Sequence, residues 1–288
     1  MPDSDTILQL DPAIDNYAVM GNPVAHSKSP QIHHAFAEQT GQRIAYHRIR
    51  VEESGFSAAL DRFQQAGGKG LNITVPFKVE AWRAVDHPTP RAERAQAVNT
   101  LWFDPAGDRC GDTTDGIGLL RDLAHHRIEL AQRRVLVLGS GGAVNGVLGE
   151  LLDAAPLQLT VANRNPERAY ALVSRFSEFT NLAGCGFDAL AGEHYDVVIN
   201  GTPAGLKGEL PVLPEDLLAP GACCYDMVYG DQETLFVRWA KQHGAALALD
   251  GLGMLVEQAA ESFYIWRGVR PQTQPVIGML RGGVARSR

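Results

Sequence analysis

The stretch Arg134-Val-Leu-Val-Leu-Gly-Ser-Gly-Gly-Ala143 decides the fold of this chain. Val135 to Leu138 is a short run of branched apolar residues, which predicts a strand buried in a parallel sheet. Glycine occupies three of the next four positions, and the amphipathic run from Val144 to Leu152 predicts a helix. The order strand, glycine turn, helix is the one that seats a pyrophosphate on a helix N-terminus, so we expect a dinucleotide-binding domain.

The glycines have separate tasks in such a turn. Gly139 permits the tight bend, and Gly141 lets the backbone approach the phosphates without a Cβ in the way. Val144 stands where the fingerprint prefers a small residue. The motif alone is therefore also compatible with a structural turn in some other α/β protein.

The segment after the next strand indicates which dinucleotide is bound. Leu157 to Ala162 is apolar and ends in Asn163-Arg164-Asn165-Pro166-Glu167-Arg168. An NAD site usually has Asp or Glu here, on the ribose 2′-hydroxyl. Asn165 as a cap, Pro166 and the early acid predict a helix start, with Arg168 in the first turn. Two guanidiniums beside a helix N-terminus suit a phosphate and favour NADP(H), although they could be ordinary solvated arginines.

Composition narrows the class of protein. The 288 residues suit two domains, and 45% hydrophobic with 20% charged residues is normal for a globular enzyme. The net charge is −7 without a basic cluster, which argues against nucleic acid or anionic membranes as partners. No apolar run is long enough to span a bilayer, and the acidic N-terminus lacks a signal-peptide core. The four cysteines do not have the spacing of metal ligands, so we expect a protein of the reducing cytoplasm with no bound metal.

The N-terminal half predicts four β-α repeats, with polar residues after the strands. The first strand, Tyr17 to Met20, is followed by His26-Ser27-Lys28-Ser29-Pro30. Ser29 before a proline is a good helix start, so capping is the alternative role for this residue. Ser27 has no such alternative. Hydroxyls, a histidine and a lysine at a strand-to-helix turn could hold a small anion such as a carboxylate.

A second polar group follows the third predicted strand. Asn72, Thr74 and Lys78 lie at its carboxyl end or just beyond, where open α/β sheets bind ligands. The alternative for Lys78 is an ordinary surface lysine. Asp112 or Thr113 could cap the helix that carries the chain through Asp115 into the next domain.

The C-terminal half continues the nucleotide fold. The strand Tyr195 to Ile199 ends in Asn200-Gly-Thr202-Pro-Ala-Gly205, which we expect near the nicotinamide half of the cofactor. After the last strand, two helices should pack back on the first domain, since the nucleotide fold is already complete. We therefore expect a substrate-binding and catalytic domain at 1–114, a Rossmann domain at 115–251 and C-terminal helices at 252–288, with a cleft between the domains.

Seven motifs now occur in an order typical of one family. They are His26-Ser-Lys-Ser-Pro30, Asn72-Ile-Thr-Val-Pro-Phe-Lys78, Ala97-Val-Asn-Thr100, Asp112-Thr-Thr-Asp-Gly116, Gly139-Ser-Gly-Gly-Ala143, Tyr225-Asp-Met227 and Asp250-Gly-Leu-Gly-Met254. From about Tyr17 to the C-terminus, the chain resembles the shikimate dehydrogenase family, NADP-dependent enzymes of aromatic amino-acid biosynthesis.

The resemblance implies a role for each matching residue. Lys78 and Asp115 would be the catalytic pair. Shikimate would be bound through its carboxylate and ring hydroxyls by Ser27, Ser29, Tyr229, Thr74, Asn99 and Gln258, with Asn72 in the same shell. NADP(H) would be bound by Gly139, Ser140, Gly141, Gly142, Ala143, Asn163, Arg164 and Arg168, with Thr202, Met227, Gly251 and Met254 towards the nicotinamide.

The expected reaction is the reversible reduction of 3-dehydroshikimate to shikimate by a monomer or homodimer. One alternative is a quinate/shikimate dehydrogenase of relaxed specificity, which would be expected to carry an acidic residue near Arg164. A non-catalytic NADP(H)-binding sensor is another, and the presence of both Lys78 and Asp115 disfavours it.

Overall fold

The computed structural model describes residues 10–202 and 209–285. Two compact units make up the chain: one runs to Gly118 and resumes at Val256, and the other is Leu119–Leu255. No helix within the described residues is both long and apolar enough to cross a membrane.

The first unit is built on a mixed sheet. Its strands are β1 (Asp15–Gly21), β2 (Ile44–Arg50), β3 (Gly70–Ile73), β4 (His87–Pro88), β5 (Thr100–Phe103) and β6 (Arg109–Asp112). Its helices are α1 (Ser29–Thr40), α2 (Phe56–Gln65), α3 (Lys78–Ala84), α4 (Pro90–Ala95), the start of α5 (Asp115–His125), most of α9 (Leu252–Arg267) and α10 (Gln274–Ala285). The strand order is β2-β1-β3-β5-β6-β4.

Strand direction changes within this sheet. Both β2 and β3 run parallel to β1, whereas β5 is antiparallel to β3 and to β6. The prediction of four simple β-α repeats is therefore wrong at its last step, because β5 and β6 form a hairpin around Gly107, whose φ is +92°. The parallel part still brings the ends of β1 and β3 to one edge, so the segments that follow Gly21 and Ile73 are neighbours.

The second unit is a parallel sheet. Its strands are β7 (Arg134–Leu138), β8 (Gln158–Asn163), β9 (Leu182–Gly186), β10 (Tyr195–Asn200), β11 (Leu218–Asp226) and β12 (Leu247–Leu249), with helices α6 (Gly142–Asp153), α7 (Pro166–Val173) and α8 (Leu235–Gln242). The strand order is β12-β11-β10-β7-β8-β9, and every neighbouring pair is parallel. This is the Rossmann order, and it confirms the predicted fold of two open-sheet α/β units with a nucleotide-binding second unit.

The chain order reverses between β7 and β10, the two central strands of the second sheet. Ligands of doubly wound sheets bind where the order reverses, at the carboxyl ends of the strands. Both strands are buried and apolar on each face, and helices cover them on both sides. The glycine turn after β7 and the segment Asn200-Gly-Thr202, which begins with the last residue of β10, therefore meet at this point.

Candidate functional site

A lysine and a carboxylate meet in the first unit. Lys78 opens α3, Asp115 opens α5, and Lys78 Nζ lies 2.5 Å from Asp115 Oδ2. The two side chains are only 14% and 8% exposed, so the surface-lysine alternative for Lys78 does not hold. A lysine held this way is a charge and proton donor whose position is fixed by its carboxylate partner.

Asn99 holds the second carboxylate oxygen of Asp115. Its amide nitrogen donates to Asp115 Oδ1 at 2.8 Å and lies 3.2 Å from Gln258 Oε1. The amide oxygen of Asn99 accepts from the Thr114 backbone N–H at 2.9 Å and from the Thr100 hydroxyl at 2.8 Å. Since these partners come from β5, the loop before α5, and α9, several elements fix the orientation of Asp115.

Asp112, which could have capped α5, is engaged elsewhere. Its carboxylate accepts both Nε and Nη2 of Arg91 at 2.6 Å and the Thr89 hydroxyl at 2.6 Å. The backbone N–H of Thr113 also donates to Asp112, at 2.8 Å. This bidentate ion pair, in which the Asp112 carboxylate is buried, ties the loop before Asp115 to α4.

Asn72 continues the network away from Lys78. Its amide nitrogen lies 3.2 Å from Asn99 O and 3.0 Å from the Ser262 hydroxyl, which is in turn 2.7 Å from the Thr100 hydroxyl. We call Asn72, Asn99, Thr100, Thr114, Gln258 and Ser262 the amide network. The sequence motifs assign no role to Thr100, Thr114 or Ser262. Ser262 lies four residues after Gln258 on α9, on the same helix face, which is a signal that the sequence does contain.

The predicted anion-binding serines lie together at the start of α1. The Ser27 hydroxyl is 3.1 Å from the Ser29 hydroxyl and accepts the Ser29 N–H at 3.3 Å. The helix is not capped by Ser29, because its N-cap is Lys28 and Ser29 lies in the first turn, 6% exposed. Arg48 donates from Nε and Nη2 to the Ser27 carbonyl at 2.9 and 2.6 Å, which fixes the loop and adds positive charge beside it.

Thr74 follows the end of β3. Its backbone N–H donates to Met20 O at 2.9 Å, and its carbonyl accepts the Phe77 N–H at 3.0 Å. A Cβ added at Gly21 would lie 2.3 Å from Thr74 Cγ2, so the glycine makes room for this threonine. The segment from Thr74 to Lys78 is thus held against the end of β1.

The glycine turn of the second unit has room for a ligand. Gly139 has φ +103°, and a Cβ there would lie 3.2 Å from Thr202 Cγ2 and 3.3 Å from Gly201. Gly141 is the N-cap of α6, and a Cβ at Gly141 or Gly142 would meet nothing within 4 Å. Backbone N–H groups at an open helix N-terminus are the donors that a pyrophosphate requires, so these residues and the flanking Ser140 and Ala143 fit the expected group.

Val144 does not obstruct this turn. Its side chain is 0% exposed and belongs to the core of the unit. A Cβ at Gly201 would lie 2.5 Å from Val144 Cγ2. The close helix-to-strand packing that a small residue usually permits is therefore achieved here by the glycine on the opposite side.

The predicted helix start at Asn165 is confirmed. The Asn165 side chain accepts the Glu167 N–H at 3.1 Å, with Pro166 as the first residue of α7. Asn163 is the last residue of β8 and donates to Asn165 O at 3.0 Å. Arg164 and Arg168 are both exposed, and within the described ranges neither guanidinium has a hydrogen-bond or ion-pair partner. Two unengaged guanidiniums beside a helix N-terminus fit a phosphate.

The ends of β10 and β11 are joined by buried polar contacts. Thr202 donates its hydroxyl to Asn200 Oδ1 at 2.7 Å, and Asn200 Nδ2 donates to Asp226 Oδ1 at 3.0 Å. Asp226 is 0% exposed, and burial raises the pKa of its carboxyl. Met227 follows directly. The last part of the predicted glycine-rich segment, Pro203 to Gly205, lies outside the described residues.

The residues after β12 also approach β11 closely. A Cβ at Gly251 would lie 2.4 Å from Met227 O, and the Met254 N–H donates to the Tyr225 hydroxyl at 3.3 Å. Tyr225 donates to Asp122 Oδ2 at 2.6 Å. Met227, Gly251 and Met254 therefore cluster within the second unit, to which Tyr229 also belongs.

Profiles of known families match three parts of the chain. The shikimate dehydrogenase substrate binding domain matches residues 19–101, shikimate/quinate 5-dehydrogenase matches residues 122–207, and the shikimate 5′-dehydrogenase C-terminal domain matches residues 251–278. Together they match parts of both units and include the glycine turn, Lys78, Asn99 and Gln258.

Individual relatives agree with these profiles. The shikimate dehydrogenase (NADP(+)) of Alkalilimnicola ehrlichii is 65% identical over 93% of this chain and 98% of its own length. That of Halorhodospira halophila is 56% identical over 93% and 99%. The crystal structure of shikimate 5-dehydrogenase from Thermus thermophilus, in complex with NADP(H) and shikimate, is 31% identical with a TM-score of 0.82 over 96% of this chain and 100% of that one. The chain therefore belongs to the NADP-dependent shikimate dehydrogenase family of oxidoreductases.

Proposed function

We propose that this chain catalyses the reversible NADPH-dependent reduction of 3-dehydroshikimate to shikimate, in the route to aromatic amino acids. The observation that carries the proposal is the Lys78–Asp115 pair, buried and fixed by Asn99. It supplies what ketone reduction requires, a cation with a transferable proton beside neutral hydrogen-bonding groups. The family to which the chain belongs performs this chemistry.

Lys78 and Asp115 divide the catalytic work. As the substrate ketone is reduced, negative charge develops on its oxygen, and the Lys78 ammonium stabilises that charge and donates the proton. Asp115 positions the ammonium and accepts a hydrogen bond from the substrate hydroxyl. In the reverse direction, the neutral amine of Lys78 takes the hydroxyl proton. Bound NADPH supplies the hydride for reduction.

The remaining polar groups of the first unit bind the substrate. We assign the carboxylate to Ser27 and Ser29, and Tyr229 is a further residue for substrate binding. Thr74, Asn99 and Gln258 bind ring hydroxyls, and Asn72 supports them. A site built from such groups rejects analogues that lack a hydroxyl, because its buried donors and acceptors would be left unpaired.

The second unit binds NADP(H). The turn from Gly139 to Ala143 holds the pyrophosphate, and Asn163, Arg164 and Arg168 hold the adenosine end with its 2′-phosphate. At the nicotinamide end we place Thr202, Met227, Gly251 and Met254. Open space at the α6 N-terminus and two unengaged guanidiniums support this assignment.

We propose that these tasks follow the boundaries expected from the sequence, with substrate binding and catalysis at 1–114, NADP(H) binding at 115–251 and C-terminal helices at 252–288. The active protein would be a monomer or homodimer. A cytoplasmic location is supported by four free cysteines, which suit a reducing compartment.

An activity matrix tests the function. Purified protein is assayed for reduction of NADP+ and NAD+ with shikimate, with quinate and without substrate, beside a Lys78→Ala variant as the inactive control. Shikimate-dependent reduction of NADP+ is the expected result. Equal rates with quinate would indicate a quinate/shikimate dehydrogenase of relaxed specificity, and no turnover with either substrate would refute a dehydrogenase function.

A further inference from the structure

The hydroxyl of Tyr225 joins the start of α9 to α5 through two hydrogen bonds. It lies 2.6 Å from Asp122 Oδ2 and 3.3 Å from the backbone nitrogen of Met254. The Met254 N–H can only donate, so the Tyr225 oxygen accepts there and its single proton goes to Asp122. Burial, together with the Asp122 carboxylate, raises the pKa of Tyr225 well above its usual value, so this proton stays on the tyrosine. The direction of both hydrogen bonds is therefore settled.

The carboxylate of Asp122 also makes a close packing contact with α9. Asp122 is 1% exposed, and a Cβ added at Gly253 would lie 2.0 Å from its Oδ1. The same oxygen lies 3.5 Å from His126 Nδ1. Only a glycine at position 253 lets the backbone of α9 lie this close to the carboxylate, and a carboxylate so deeply buried requires the hydrogen bond that Tyr225 donates.

The segment before α9 is held from the side of β11 as well. A Cβ at Gly251 would lie 2.4 Å from Met227 O, and the Gly251 N–H donates to Val228 O at 3.1 Å. The first turn of α9 is thus fixed on one side by the backbone that follows β11. On the other side, the Tyr225 hydroxyl holds the backbone of Met254.

We propose that Tyr225 is a positioning residue for the nicotinamide half of NADP(H): its hydroxyl, fixed by Asp122, holds the backbone of Met254 and with it the first turn of α9. The inference rests on the proposed function, in which Met227, Gly251 and Met254 lie at the nicotinamide end. A turn that is fixed before the cofactor binds need not be ordered at that moment, so less binding free energy is lost. Tyr225 is 0% exposed and acts through Met254.

Tyr225→Phe tests this role, because the ring remains and only the hydroxyl is lost. Calorimetric titrations compare NADPH with adenosine 2′,5′-bisphosphate, which carries the 2′-phosphate and lacks the nicotinamide half. We expect Kd for NADPH to rise about threefold to tenfold, the usual worth of one neutral hydrogen bond, and Kd for the bisphosphate to stay constant.

Tyr195→Phe is the matched control. Tyr195 is a buried tyrosine of the same sheet, 2% exposed, and it is the first residue of β10. It therefore lies at the amino end of its strand, whereas the cofactor of such a sheet binds at the carboxyl ends. This variant should keep both wild-type dissociation constants.

Two double variants separate positioning from general destabilisation. If Tyr225 acts through Met254, adding Tyr225→Phe to Met254→Ala should raise Kd for NADPH no further. Adding Asp122→Asn to Tyr225→Phe removes the buried carboxylate that has lost its donor, so the melting temperature should recover while the NADPH affinity stays low. Full additivity with Met254→Ala, or recovery of the affinity together with the melting temperature, would overturn the proposal.

The single variant and the wild type distinguish the remaining outcomes. Equal weakening of both ligands by Tyr225→Phe would indicate a general loosening of the second unit and would overturn the role of Tyr225, as would an unchanged Kd for NADPH. The titrations need no turnover. Wild-type protein that shows no shikimate-dependent reduction of NADP+ would therefore refute the proposed function, whereas normal activity with unaltered NADPH binding in Tyr225→Phe would refute only the role of Tyr225.

Discussion

The ammonium of Lys78 is bound to one oxygen of Asp115 at 2.5 Å, and the other oxygen of the same carboxylate is engaged by Asn99 at 2.8 Å. Neither oxygen can turn away without breaking a charge-assisted hydrogen bond. The pair is therefore a rigid unit on two helix N-termini, α3 and α5, rather than two mobile surface charges.

Removing the lysine should abolish most of the turnover. We expect Lys78→Ala to lower kcat by roughly 10²–10⁴-fold, the usual worth of general acid–base catalysis, with a smaller change in KM. Asp115→Asn should also reduce kcat, and the double variant should lose less than the sum of the two, because the residues act as a unit. Lys69→Ala, at an exposed lysine, is the control. Steady-state kinetics with a near-normal kcat in Lys78→Ala would assign the proton to another group.

The serines should affect binding rather than turnover. Ser27→Ala and Ser29→Ala should each raise KM for shikimate, through a loss of roughly 1–3 kcal/mol per buried hydrogen bond. Ser29 does not cap α1, so its replacement should change the melting temperature little. Ser57→Ala, on the exposed face of α2, is the matched control. Wild-type KM values in both variants would remove the serines from the substrate site.

Arg164 should determine the choice of cofactor. Loss of a charge-assisted hydrogen bond to the 2′-phosphate costs roughly 1.5–3 kcal/mol, so Arg164→Ala should raise KM for NADP+ about ten- to a hundredfold. Use of NAD+, which lacks that phosphate, should stay nearly constant. Arg62→Ala, at an exposed arginine of α2, controls for the loss of a positive charge. An unchanged NADP+/NAD+ preference would leave Arg164 as a solvated surface residue.

The second unit could be predicted from the sequence largely because its signals are local. The strand before Gly139, the glycine turn and the cap at Asn165 each lie within a few residues. Short elements escaped prediction: β9, Leu182–Gly186, contains two glycines, and β4 has only two residues. Their conformation is set by pairing with β8 and β6 rather than by their own residue preferences.

The amide network and the other polar contacts of the first unit were only partly predictable from the sequence. Lys78 and Asp115 are 37 residues apart, and no spacing rule joins them. His33 does carry a signal, because Ser29, Pro30, Phe36 and Ala37 share its face of α1 and all are buried. Periodicity cannot identify the partners of a buried histidine. Asn72, whose Oδ1 lies 3.1 Å from His33 Nε2, is on β3, and Tyr46, whose ring stacks on His33, is on β2.

The packing of Gly201 against Val144, beside the cofactor turn, can be tested by measuring stability alone, without an activity assay. A Cβ at Gly201 would also lie 3.2 Å from Met227 Sδ, so Gly201→Ala should cost about 1–3 kcal/mol of stability through overpacking. Adding Val144→Ala removes the Cγ2 atom with which the new Cβ would clash. The double variant should therefore lose less stability than the sum of the two single losses. Thermal unfolding of the four proteins measures this coupling; strict additivity would mean that Val144 is not the obstacle.

Burial of neutral His33 should make part of the stability depend on pH. Its pKa is lowered from 6.5 to about 3 by desolvation, so between these values the unfolded chain binds a proton that the folded chain does not. The free energy of unfolding is therefore unaffected by this group above pH 6.5, its pKa in the unfolded chain. Below that pH it declines, by about 1.4 kcal/mol per pH unit for this one group.

His33→Gln keeps a donor for Asn72 Oδ1, which lies 3.1 Å from His33 Nε2, and removes the titration. The difference in unfolding free energy between wild type and this variant should be constant above about pH 7 and should shift in favour of the variant below about pH 6. Urea unfolding over this range measures it, and parallel pH profiles for the two proteins would mean that His33 is not held neutral in the folded state.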